Sequence, residues 1–91
     1  MDISVEFGRA VDALDNDSIG GVIGKLDQGT LAKALKTVGP ETSERIFANI
    51  PGDESDRIRQ LVKDLGPVRI EEVEAAQKEI LDTIELFPKL G

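Results

Sequence analysis

Written in rows of twelve, the chain shows a repeat that leaves little choice of fold. Leu14, Leu26, Val38, Ile50 and Val62 fall in one column, all apolar, and Ala10, Val22, Ala34, Ile46 and Ile58 form a second. A third column holds Val11, Ile23, Leu35 and Phe47 and breaks at Arg59. Within a row the apolar residues lie three or four apart, the spacing that gathers them on one side of a helix. No stretch alternates with period two, so strands are not supported. Punctuation falls where short helices should part: Asp15-Asn16-Asp17-Ser18, Asp27-Gln28-Gly29-Thr30, Gly39-Pro40 and Pro51-Gly52-Asp53. The pattern predicts helices near 3–14, 17–26, 29–38, 41–50, 53–65 and 70–86.

Helices of this length are marginal alone, since about 12 to 15 residues are needed in water even for good helix formers. They must pack their stripes on one another. The expected fold is all-α, a compact six-helix right-handed superhelix of armadillo-like type forming one domain over residues 1–91. A plain irregular bundle is the alternative. The last helix differs from the others: Ile70, Val73, Ile80, Ile84 and Phe87 make its seam, and Gln77 interrupts it. A lone polar residue in a seam costs stability unless it is satisfied. This places the helix across the ends of the others with Gln77 at the rim. Pro88 is expected to end it, leaving 88–91 loose.

Charge narrows the partners. The chain of 91 residues carries a net charge of -7. Six acids (Glu71, Glu72, Glu74, Glu79, Asp82, Glu85) stand against Lys78 between Ile70 and Glu85, whereas the first 69 residues hold 12 acids and 9 bases. An acidic surface repels phosphate backbones, and three Phe with no Tyr or Trp make no stacking platform for bases. Nucleic acid is therefore not expected as a partner. Acids at the N-terminus and the lack of any apolar run of about 20 residues argue against a signal peptide and against membrane insertion. The expected location is cytoplasmic.

Several motifs invite chemistry and decline it. Gly20-Gly21-Val22-Ile23-Gly24-Lys25 lacks the spacing and the Ser or Thr of a phosphate loop. Its glycines are expected instead to admit a neighbouring helix at Gly20 and Gly24. Asp15-Asn16-Asp17 with Gly20 opens like a calcium loop, but Ile19 and Leu26 occupy positions that must supply oxygens, so a helix cap is the expected role. With no His and no Cys, the serines lack a base, and no catalytic, cofactor-binding or metal-binding residue is expected. On the fifth predicted helix, Arg59 and Lys63 repel at a spacing of four. A repulsion kept on a surface suits a partner bearing acids, but a simply solvated face is the first expectation.

Leu65-Gly66-Pro67-Val68-Arg69 stops one helix and turns, and Ile70-Glu71-Glu72-Val73-Glu74-Ala75-Ala76-Gln77-Lys78-Glu79-Ile80 launches another. With Ala34-Leu35-Lys36 upstream, these residues resemble the C-terminal domain of the flagellar rotor switch protein FliG. In that family a similar Gly-Pro-Val-Arg turn precedes an acidic Val-Glu-x-x-Gln-x-x-Ile helix. The likeness runs from about Phe7 to Ile84, without a gap from Lys36 to Arg69. It implies a non-enzymatic six-helix domain at the outer rim of the cytoplasmic rotor ring. There a ridge of mixed charge meets the stator's cytoplasmic loop, with other rotor switch proteins as further partners, peripheral to the cytoplasmic face of the basal body. Lys36 and Arg69 match ridge positions by residue type, and Arg59, Lys63 and Asp64 are further candidates for the charged ridge. Asp53 stands where the family typically has a base, and Gln60 and Leu61 where it has carboxylates. Val5-Glu6-Phe7-Gly8 replaces a Met-Phe-x-Phe hinge, and Glu71 a helix-starting Ser. The family's preceding domains have no counterpart in this sequence, which reads as an excised domain or a free-standing relative. A free-standing adaptor that kept the fold and lost the torque role is the second reading.

Overall fold

The computed structural model describes residues 3–90, and the side chains of residues 3–86. Among the described residues six helices follow one another: α1 (Ile3–Asp12), α2 (Asn16–Gly24), α3 (Gln28–Ala34), α4 (Pro40–Ala48), α5 (Gly52–Leu65) and α6 (Ile70–Leu90). No strand occurs among the described residues. The all-α, six-helix, armadillo-like class expected from the repeat is the one observed. Its radius of gyration of 12.0 Å is what a chain of this length reaches when fully compact, about 12 Å.

The period of twelve extends to the backbone. The amides of Ile19, Leu31, Ser43 and Ser55 donate to the carbonyls of Asp15, Asp27, Gly39 and Pro51 at 3.0, 3.1, 3.1 and 2.8 Å, closing the first turn of four successive helices. Asp15 and Asp27 also cap through their side chains, accepting from the amides of Ser18 at 2.7 Å and Thr30 at 3.2 Å. The Asp15 carboxylate is thus a helix cap, as its poor calcium-loop context implied. Where Gly39 and Pro51 stand at the cap position, no side chain caps the helix, and Pro40 begins α4 with its φ already suited to a first turn.

The short helices end earlier than the apolar periodicity suggested, because their last turns tighten. Leu14, Leu26 and Ile50 donate to the carbonyls three residues back, at Val11, Ile23 and Phe47, over 3.0 to 3.2 Å. The apolar columns nevertheless form the core. Val22, Ala34, Ile46 and Ile58 are buried, as are Val11, Ile23, Leu35 and Phe47, while Leu14, Leu26, Val38 and Val62 pack at its margin. Two glycine expectations fail in part. A Cβ at Gly20 would lie 3.6 Å from the Asn49 carbonyl oxygen, ordinary contact, and one at Gly24 would meet nothing within 4 Å. Gly24 closes α2 and admits no neighbour.

The last helix corrects the sequence reading most. It lies against α1, α2 and α3, and Gln77 is 0% exposed at the centre of that contact, not at the rim. Its amide nitrogen donates to the Ala34 carbonyl and to Thr37 Oγ1, each at 2.9 Å. Its amide oxygen accepts from Ser4 Oγ at 3.0 Å. Two segments distant in sequence, the start of α1 and the end of α3, thereby satisfy one polar side chain, which is why the core tolerates it. Among the described residues no buried side-chain nitrogen or oxygen lacks a partner. The helix also continues through Pro88 to Leu90. In a last turn a proline forfeits a single amide donation and keeps a helical φ. The expected looseness of Gly91 and the seam position of the Phe87 side chain lie outside the described residues.

Between α5 and α6 the chain turns at Gly66, with φ 59° and ψ -150°. A positive φ is a conformation that glycine, lacking a Cβ, adopts without the steric penalty other residues meet. The extended ψ follows from Pro67, whose ring excludes helical ψ at the residue before it.

Candidate interaction surface

Lys36 leaves the end of α3 and reaches the far end of α5. At that end the Gly66 amide bonds to Lys63, three residues back, so the Val62 carbonyl loses its usual helical partner. Lys36 Nζ takes the place, donating to Val62 O at 3.0 Å from a half-buried position. A cation there also suits the negative end of the helix dipole. The residue first expected in the charged ridge is therefore also a clamp between α3 and α5.

Arg45 performs the same service at another corner. From α4 its guanidinium donates to the Val11 carbonyl at 2.7 Å and to the Leu14 carbonyl, both at the end of α1. Sequence reasoning missed this clamp, and no local pattern marks it.

The helical pitch divides the candidates on α5 between two sides. Arg59, Val62 and Lys63 lie along one side, where they meet Leu35, Ser43 and Phe47 around a groove between α3, α4 and α5. Arg59 and Lys63 are exposed. The Arg59 guanidinium rests over the Phe47 ring, 4.2 Å from its centroid, a favourable placement for a cation on an aromatic face. The sequence did hold a signal for this pair: Arg59 breaks the column that Phe47 ends, so its side chain occupies the repeat position next to that ring. Along the other side, Gln28, Arg57, Gln60, Leu61 and Asp64 line a second groove, and Gln60 donates to Asp64 Oδ1 at 2.9 Å. Asp64 is thus separated from Arg59 and Lys63. Arg69 is exposed just beyond α5, where its carbonyl receives the Val73 amide at 3.1 Å and starts α6. Asp53 is exposed in the first turn of α5. No described helix is long and apolar enough to cross a membrane.

Residues 9–90 match the family described as the FliG C-terminal domain. The chain belongs to that family. The flagellar motor switch protein FliG of Thermotoga maritima is 39% identical over 86% of this chain and 23% of its own length. That of Pseudomonas aeruginosa is 32% identical over 99% of this chain and 26% of its own length. The chain thus spans about a quarter of the curated relatives it matches. A crystal structure of FliG from H. pylori superposes with a TM-score of 0.84 at 27% identity, covering 91% of this chain and 39% of that one. The resemblance carried by the Gly66-Pro67-Val68-Arg69 turn and the helix that follows therefore extends over residues 9–90, nearly the whole of this chain.

Proposed function

We propose that this domain is a non-enzymatic, load-bearing part of a flagellar rotor, standing at the cytoplasmic face of the basal body. It meets the stator's cytoplasmic loop through surface charge on Lys36, Arg69, Arg59 and Lys63, with Asp64 on the adjoining side. Membership of the FliG C-terminal domain family is the observation that carries this reading. The clamps on α5 support it: charge transmits force only if its carrier is held, and α5 is tied to α3 by Lys36 and to α4 through Phe47 and Arg59. Exposed pairs contribute about 0 to 1 kcal/mol each, so such a contact works as a set.

Because Lys36 also clamps, the clean test reverses exposed charges only. Arg69→Glu combined with Lys63→Glu should weaken binding to a synthetic stator-loop peptide by about tenfold and remove most of its salt dependence. Binding indifferent to both the reversal and salt would end this reading. A free-standing adaptor is the second reading, favoured by Gln60 and Leu61, which put an amide and an aliphatic side chain in an exposed groove. Deleting the protein separates the two. Lost swimming with intact filaments supports the rotor role, and unchanged swimming supports the adaptor.

A further inference from the structure

We infer that the groove between α3, α4 and α5 is a docking site for an acidic segment of a partner protein that seats one aliphatic side chain in it. The inference rests on the docking role proposed above, but moves the source of affinity from charge alone to an apolar anchor. The floor of the groove is core brought to the surface: Leu35 and Phe47 are only 6% and 8% exposed, and Val62 packs at the margin of the same cluster. The rim is cationic. Arg59 is already laid over Phe47 and so loses little freedom on meeting a carboxylate. Lys63 lines the same groove, and the Lys36 ammonium, outside the lining, is held 3.0 Å from the backbone carbonyl of the lining residue Val62.

Apolar floor and cationic rim together select an aliphatic residue flanked by Asp or Glu. A phosphate backbone finds the same cations, but the chain's net charge of -7 repels it beyond the rim. A short acidic segment has no such extended backbone to bring near the rest of the surface.

The test titrates the isotope-labelled chain with a synthetic peptide of one central leucine between Glu and Asp residues, alongside a peptide with alanine in place of the leucine. Amide shifts should gather at Ser43, Phe47 and Val62, and the alanine peptide should bind at least about fivefold more weakly. Arg59→Gln with Lys63→Gln should weaken the leucine peptide by about tenfold while circular dichroism shows the helices intact. Equal, salt-sensitive binding of both peptides would overturn the groove and leave the charge-only contact standing. Shifts centred on α6, absence of binding, or occupation of the groove by a second copy of the chain, detected by sedimentation, would each overturn it as well.

Discussion

Gln77 shows how one residue's environment can invert its reading. In the sequence it interrupts an apolar seam, and an interruption is most simply placed at an edge. Its partners Ser4, Ala34 and Thr37 lie 73, 43 and 40 residues away, and no local pattern announces contacts of that span. Replacing it with an apolar residue strands the Ala34 carbonyl in the core. Gln77→Leu should therefore cost about 1 to 3 kcal/mol, read from the urea midpoint at unchanged slope. Asp15 offers a pH-dependent counterpart. Its carboxyl is held below the ordinary 3.8, first by the hydrogen bond from the Ser18 amide, then by the Ser18 hydroxyl, with the Arg45 charge assisting. A folded pKa below the unfolded one stabilises the protein above the ordinary value, and the contribution is lost as pH falls through the lowered folded value. Asp15→Asn, which keeps a capping oxygen, should flatten that part of the acid-unfolding curve. A curve of unchanged steepness would show that Asp15 does not contribute to it.

At the level of the helix, glycines that look alike in sequence differ in consequence. Gly24 has open space where a Cβ would go and no unusual φ, so Gly24→Ala should raise stability by about 0.5 to 1 kcal/mol, visible as a higher melting temperature. Gly29 sits in the first turn of α3, where a Cβ would lie 2.9 Å from the Asp27 oxygen that caps the Thr30 amide. Gly29→Ala should gain nothing or lose stability, and in an Asp27→Ala background, already about 1 kcal/mol weaker, the penalty should vanish. Gly66→Ala should cost about 1 to 3 kcal/mol, because its dihedrals belong to a region nearly closed to other residues. The helix starts were legible from caps and prolines, each within a residue of the structure. The ends were less so, because the apolar period runs on through turns whose bonds shorten to three residues, as at Leu26 and Ile50. The role of Gly24 was misread for want of any sequence signal separating a glycine at a close contact from one that merely stops a helix.

For the molecule as a whole, the repeat and the Gly66-Pro67 turn were enough to indicate class, helix count and family. The arrangement of charge was not. Arg59, Lys63 and Asp64 were named together as further candidates for the charged ridge, whereas the pitch of α5 and the walls supplied by α3 and α4 put Asp64 in a different groove. Lys36 was legible as a charge and illegible as a clamp, since only the tightened end of α5 frees the Val62 carbonyl for it. Lys36→Met should therefore lower stability by about 1 kcal/mol or more by leaving that carbonyl unpaired, measured by thermal unfolding, in contrast to Lys63→Met, which should change it little. The position of α6 bears on how the protein comes into being. It is the helix against which α1, α2 and α3 close, so the apolar flank they share stays uncovered until synthesis has passed Ile80. A chain stalled at the Gly66 turn would carry that open flank, the kind of surface through which unfinished domains aggregate.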